Sequence, residues 1–134
     1  MSEQEQIYPP VTSELAKQRR SLAPKPAAAF KAFSQSVFAE GALSAKTKQL
    51  IAVAVAHVTQ CPYCIRGHTR AAERHDATAE EIMEAIWVAA EMRAGGAYAH
   101  SVIALDTIAR NKAKSAGDRE KVAGVSGADA KEQG

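Results

Sequence analysis

The sequence contains two cysteines, Cys61 and Cys64, which stand three residues apart in the run C-P-Y-C. Proline is favoured at the first position of a helix, so the run predicts a helix that begins at Pro62 with Cys61 as its N-cap. The unpaired amides and the positive dipole end of a helix N-terminus lower the pKa of a thiol placed there. The motif therefore indicates a redox-active thiol pair.

A histidine, His68, follows Cys64 at a spacing of four residues. Residues four apart are neighbours on a helix, and helical side chains lean toward the N-terminus, so His68 can reach Cys64. A thiol and an imidazole beside a second thiol are suited to nucleophilic attack followed by disulfide closure. Three alternatives remain open: a structural disulfide, a zinc site completed by His57 and His68, or two inert buried cysteines.

The elements that position the motif are predicted to be helices. The segment 44–60 alternates like a strand, but its length and the absence of glycine and proline before Cys61 favour a helix. Thr78 and Glu81 form a capping box, and Gly95-Gly96 is expected to end the helix that begins there. The predicted helices are six: residues 12–22, 26–40, 44–60, 62–75, 78–94 and 98–112.

Composition sets the fold class. The 134 residues include 29 alanines and only 5% aromatic residues, which predicts a compact all-α domain with a core of small side chains. Residues 1–11 are expected to form an extended arm, residues 12–112 the domain and residues 113–134 a disordered tail. Because small side chains bury little apolar surface within one chain, we expect further apolar surface to be buried between subunits.

Charge and hydropathy exclude several classes of partner. A net charge of +2 gives no basic footprint for nucleic acid. The longest apolar run, residues 50–58, is too short to span a membrane, which needs about 20 residues. The N-terminus lacks a secretory pattern, so we expect a cytoplasmic protein. We also expect no bound cofactor and no bound metal.

The run from about Leu43 to His100 resembles the alkylhydroperoxidase D-like branch of the carboxymuconolactone decarboxylase family. The matching elements are C-x-x-C-x-x-x-H, a small-residue turn with Thr78, the run Glu80-Glu81-Ile82 and a later glycine pair. C-P-Y-C also occurs in glutaredoxins, but that fold needs strands and a cis-proline after the motif, and no proline follows residue 62. The resemblance implies an all-helical fold, homotrimers or homohexamers, and thiol peroxidase or disulfide reductase chemistry.

The resemblance also implies roles for individual residues. Cys64 matches the peroxide-attacking cysteine, Cys61 the resolving cysteine and His68 the relay histidine. Gln49 stands where the family has its relay glutamate, and Tyr63 where it has a second relay histidine. A neutral amide cannot take up and return a proton as a carboxylate does. The carboxylates that could replace it are those of Glu40, Glu84 and Glu91.

The expected function is a thiol-dependent hydroperoxidase or disulfide oxidoreductase in antioxidant defence. Its substrate would be a hydroperoxide, and the resemblance implies a dithiol reductant, which in that family can be of the lipoyl type. Helix dipole and exposure favour Cys61 as the attacking thiol, whereas the imidazole and the resemblance favour Cys64. Two alternatives are a non-peroxidatic relative of the decarboxylases, or a ligand-binding helical oligomer whose thiols act as a sensor.

Overall fold

The computed structural model describes the backbone of residues 7–129 and the side chains of residues 7–125. This part of the chain contains five helices and no strand, which confirms the all-α prediction. The helices are α1 (Ser13–Leu22), α2 (Pro24–Phe38), α3 (Ala45–Thr59), α4 (Pro62–Arg74) and α5 (Ala79–Asp129). Residues 7–11 are not helical, and the rest of the predicted arm lies outside the described residues.

The helix that precedes the cysteines, α3, forms despite its alternating sequence. Its N-cap is Ser44, whose hydroxyl accepts a hydrogen bond from the Thr47 N–H at 3.1 Å. Its last residue is Thr59, and its C-cap, Gln60, has a left-handed conformation (φ 56°) that turns the chain sharply into Cys61. A side-chain cap at one end and a reversal at the other make the segment a helix rather than a strand.

The core between the helices consists almost entirely of alanine. Helices α3 and α4 make the most extensive contact between helices, and Val53 of α3 is fully buried. The other buried apolar residues among those described are Ala45, Ala56, Ala71, Ala72, Ala77 and Ala89. Small side chains let the two helices approach closely, and this close packing determines how α3 faces α4.

Polar contacts hold the end of α2 against the start of α3. The Lys48 ammonium donates to the carbonyl oxygens of Val37 at 2.9 Å and Ala39 at 2.7 Å. These acceptors lie at the C-terminus of α2, where a cation also meets the negative end of the helix dipole. The contact places Phe38, the last residue of α2, beside α4.

The last helix differs from the prediction of two helices and a tail. Helix α5 continues through Gly95 and Gly96 to Asp129, so there are five helices rather than six in the described residues. Each glycine costs a helix only about 1 kcal/mol relative to alanine, and no proline follows to end it. Residues 113–129 are helical instead of disordered, and residues 130–134 lie outside the described part.

The chain divides into two compact units, Met1–Glu91 and Met92–Gly134. Helix α5 contributes its first residues to the first unit, which contains the cysteine motif, and the rest to the second. In the second unit the described side chains are almost all exposed, and one ion pair joins Asp106 to Arg110 at 2.7 Å.

Candidate functional site

The cysteine motif opens helix α4. Cys61 is the N-cap, as predicted, and its sulfur accepts a hydrogen bond from the Cys64 N–H at 3.3 Å. Pro62 occupies the first position of the helix, where a missing N–H costs nothing. The two cysteines form a disulfide, with their Cα atoms 5.3 Å apart. The sulfur atoms therefore lie together at the positive end of the helix dipole.

His68 lies one turn further along α4 and is fixed by two contacts. Its Nδ1 is 2.8 Å from the Oε1 of Gln49, which projects from α3 and is 7% exposed. The ring of Phe38 lies against the imidazole, with ring centres 5.1 Å apart. Gln49, which stands where the family has its relay glutamate, therefore contacts His68, the predicted relay histidine, through an amide instead of a carboxylate.

Cys64 and His68 both line a groove of about 420 Å³ between α2, α3 and α4. The remaining walls are mostly apolar: Val37, Phe38, Lys48, Ile51, Ala52, Val55, Ala56 and Thr59. A sulfur and an imidazole thus face the same mainly apolar space. Such a groove suits a ligand with an apolar body and a reactive polar end.

Tyr63 points to another side of α4. Its hydroxyl donates to the carbonyl oxygen of Pro9 at 2.9 Å, and its ring meets that of Tyr8 edge-on at 6.2 Å. The structure therefore places the predicted relay tyrosine against the N-terminal arm, away from the groove that Cys64 and His68 line. The sequence carried no signal for this contact because 54 residues separate its partners.

The carboxylates considered as replacements for the relay glutamate are occupied or exposed. Glu40 accepts a hydrogen bond from the Ala45 N–H at 3.1 Å and so caps α3. Glu84 and Glu91 are exposed on α5. Among the described residues, the hydrogen-bond partner of the His68 Nδ1 is Gln49 rather than any of these.

One carboxylate of the first unit has a shifted pKa. The Lys46 ammonium lies 2.8 Å from Glu81 and donates a hydrogen bond that, more than any other contact, lowers the pKa of this carboxyl below its ordinary value of 4.5. The Thr78 N–H, which donates to Glu81 at 3.0 Å, lowers the pKa further. The pair joins the first turn of α3 to the first turn of α5, and the predicted capping box is confirmed.

The described residues provide no group of three or more histidine, cysteine or acidic side chains that could hold a metal ion. His57, which a zinc site would require, instead places its Nδ1 2.7 Å from the carbonyl oxygen of Val53 in its own helix. Nor does any helix of the described part have the length and hydropathy to cross a membrane.

The sequence model of the carboxymuconolactone decarboxylase family matches residues 24–107, which is more than half of the chain and includes the whole site. The chain belongs to the carboxymuconolactone decarboxylase family. Its cysteine pair and His68 are consistent with the alkylhydroperoxidase D-like branch of that family.

Relatives and solved structures agree with the family. A protein of the cox locus of Paracoccus denitrificans is 71% identical over 77 residues, which cover 58% of this chain and 69% of that protein. A Cupriavidus necator protein is 39% identical over 72 residues, covering 54% of this chain and 64% of its own.

Two crystal structures resemble the fold. A carboxymuconolactone decarboxylase family protein from Legionella pneumophila, in its apo form, is 39% identical with a TM-score of 0.57 and covers 61% of this chain and 72% of its own. A Methanobacterium thermoautotrophicum protein is 37% identical with the same TM-score and covers 60% and 91%.

Proposed function

We propose that this family member is a thiol-dependent disulfide oxidoreductase that reduces hydroperoxides in antioxidant defence. The observation that carries the proposal is the Cys61–Cys64 disulfide at the N-terminus of α4, with Cys64 and His68 lining one groove. A disulfide closed over a three-residue separation restrains little chain entropy, so stabilisation alone is a poor explanation for it.

In the proposed cycle, the reduced Cys64 thiolate attacks the terminal oxygen of a hydroperoxide. The O–O bond breaks, Cys64 becomes a sulfenic acid, and the leaving alkoxide takes a proton and departs as an alcohol. The Cys61 thiol then displaces water from the sulfenic acid and closes the disulfide. A dithiol donor restores both thiols and is itself oxidised to a disulfide, so two electrons pass from donor to peroxide.

His68 is the group proposed to handle the protons. With the amide oxygen of Gln49 facing Nδ1, that nitrogen donates the hydrogen bond and Nε2 is left as the basic atom. Nε2 takes the proton from Cys64 and returns it to the alkoxide. Since the amide cannot accept a proton in turn, His68 acts without the carboxylate that completes a relay, and we expect turnover to be slow.

The exposed apolar surface supports the proposal of a homotrimer or homohexamer. The large apolar side chains of the first unit that remain exposed outside the groove include Phe30, Phe33, Trp87 and Val88. With Val53 as the largest fully buried side chain, burial of this surface against other copies would supply the missing core. Elution from gel filtration at the chain mass of 14.2 kDa would contradict an oligomer.

The function is tested by titrating thiols before and after one equivalent of cumene hydroperoxide, with intact-mass spectrometry. We expect the two thiols of the reduced protein to disappear and the mass to fall by two hydrogen atoms. Cys61→Ser should stop at a sulfenic acid on Cys64, whereas Cys64→Ser should react slowly and turn over no peroxide with dithiothreitol. A stable sulfenic acid on Cys61 in Cys64→Ser, with none on Cys64 in Cys61→Ser, would reverse the assignment of the two cysteines.

The same titration separates the alternative of a ligand-binding helical oligomer. The mainly apolar groove favours that alternative. The main proposal requires a dithiol reductant, for which we propose the lipoyl type, whereas a ligand-binding protein would need no reductant. Thiols that neither react with peroxide nor pair would refute the oxidoreductase. Reversible pairing without catalytic turnover would support a sensor.

A further inference from the structure

Helix α4 has a second exposed face beside the one that carries Cys64 and His68. Arg66 and Gly67 lie on it, Arg70 follows them three to four residues later, and together with Tyr63 they line a hollow of about 560 Å³. The open space at Gly67 leaves room for a ligand group to approach the helix between the arginines. The N-terminal arm forms the opposite wall of this hollow through Pro10 and Val11.

The two arginines of this hollow are exposed cations. Among the side chains that the structure describes, those of residues 7–125, neither guanidinium has a hydrogen-bond or ion-pair partner. A guanidinium is a planar fork of donors that matches a carboxylate. Two such forks one turn apart are suited to acidic side chains of another molecule.

The net charge of the whole chain is only +2, but its basic and acidic residues are concentrated in different segments. Residues 1–74, which include the arm and helices α1–α4, carry ten lysines and arginines against five acidic residues, a net charge of +5. Residues 76–91, the turn before α5 and its first residues, carry five acidic residues and no basic ones. The cysteine motif therefore lies in the basic part of the first unit, which attracts an acidic molecule over a Debye length.

We propose that the hollow at Arg66 and Arg70 is the docking surface for an acidic protein that carries the reducing dithiol. This inference rests on the proposed function. The hollow is lined by Tyr63, which stands between the two cysteines in the sequence, so a protein seated there lies beside the first turn of α4, which carries the disulfide. The positive charge extends over four helices, a larger area than a small anion covers, which favours a protein surface as the occupant.

The step served by docking is thiol–disulfide exchange. A thiolate of the donor attacks one sulfur of the Cys61–Cys64 disulfide, and the other sulfur leaves as a thiolate. The second donor thiolate then breaks the mixed disulfide. The donor loses two electrons and forms its own disulfide, and Cys61 and Cys64 gain the electrons and take up two protons as thiols.

The test measures the rate at which two synthetic dithiol peptides reduce the oxidised protein. The peptides share one Cys-Gly-Pro-Cys sequence and are flanked by aspartates or by lysines. At low salt we expect the acidic peptide to react about tenfold faster than the basic one, a ratio that falls toward one as sodium chloride is added. Equal rates for the two peptides at low salt would overturn the proposal.

A matched pair of double variants locates the effect. Arg66→Ala with Arg70→Ala should slow the acidic peptide about tenfold and leave reduction by uncharged dithiothreitol unchanged. Lys25→Ala with Lys31→Ala removes the same charge from exposed positions of α2 and should have a much smaller effect. Equal slowing by both pairs would mean that net charge alone sets the rate, and would refute a docking surface at the hollow.

Gel filtration of the arginine variant distinguishes a donor protein from a second copy of this chain. We expect the variant to elute as the unsubstituted protein does. If its oligomeric state changes, the occupant is the acidic part of a second copy, which overturns the proposal of a donor protein. Peptide reduction rates do not depend on peroxide, so a protein that shows the charge preference but is not reoxidised by peroxide would refute the proposed function while leaving docking intact.

Discussion

The hydrogen bond between His68 and Gln49 makes one substitution especially informative. Gln49→Glu places a carboxylate of nearly the same shape 2.8 Å from Nδ1, at a position that is 7% exposed and little screened by water. A hydrogen bond to a neutral group is worth about 1 kcal/mol net and one to a charged group about 1.5–3 kcal/mol. The added stabilisation of the protonated imidazole, about 1 kcal/mol, corresponds to about fivefold in rate.

The assay is turnover of cumene hydroperoxide with excess dithiothreitol, together with the rate of the first disulfide closure in a stopped-flow instrument. Gln49→Glu should raise both rates about fivefold because the carboxylate favours the state in which His68 holds the thiol proton. Gln49→Met, of similar size but without the hydrogen bond, should lower them. Activity of Gln49→Glu no higher than that of the unsubstituted protein would refute His68 as the proton-handling group.

A control variant removes the charge of Glu40, one of the carboxylates that could replace the relay glutamate. Glu40→Gln keeps an oxygen that can accept the hydrogen bond from the Ala45 N–H and removes only the charge. We expect it to leave peroxide turnover unchanged. A large loss would show that Glu40 provides the carboxylate of the relay, and that His68 does not act without one.

Three further predictions concern stability and the arm. Val53→Ala should lower the free energy of unfolding in urea by about 2 kcal/mol, since it opens a cavity at the only fully buried large side chain of the described core; a loss below about 0.5 kcal/mol would contradict this packing. Tyr63→Phe removes the hydrogen bond to Pro9, worth about 0.5–1 kcal/mol, and should speed thermolysin cleavage on the amino side of Ile7 about two- to fivefold, whereas an unchanged rate would argue against an anchored arm. The contribution of Glu81 to stability is full above pH 4.5 and is lost as the pH falls through its lowered pKa, so acid unfolding of Glu81→Gln should lack this component; identical pH profiles would show that the carboxylate contributes nothing.

Local sequence signals predicted the elements of the site well. The Thr78–Glu81 capping box and the N-cap position of Cys61 depend on residues within one helical turn, and each is present in the structure. The prediction that the helix ends at the glycine pair was wrong because glycine weakens a helix without ending it. The surrounding alanines favour the helical conformation, so α5 continues through the pair.

Contacts between distant segments were beyond the reach of the sequence. The resemblance assigned relay positions to both Gln49 and Tyr63. In the structure, the packing of α3 on α4 brings Gln49 to His68, whereas Tyr63 forms a hydrogen bond with Pro9 of the arm. The ring of Phe38 reaches His68 because Lys48 holds the end of α2. None of these pairs shares a helix turn, so no periodicity could have revealed them.

The sequence by itself determined that this protein is a helical member of its family with a thiol pair at a helix N-terminus, since composition, caps and the C-P-Y-C motif act over short distances. The tertiary structure decided which residues surround that pair. It gave His68 an amide partner and a groove shared with Cys64, and it placed Tyr63 in a separate hollow with Arg66 and Arg70. The physical reason is that small alanine side chains let α3 and α4 pack closely, and this packing brings residues that are distant in sequence within hydrogen-bonding distance.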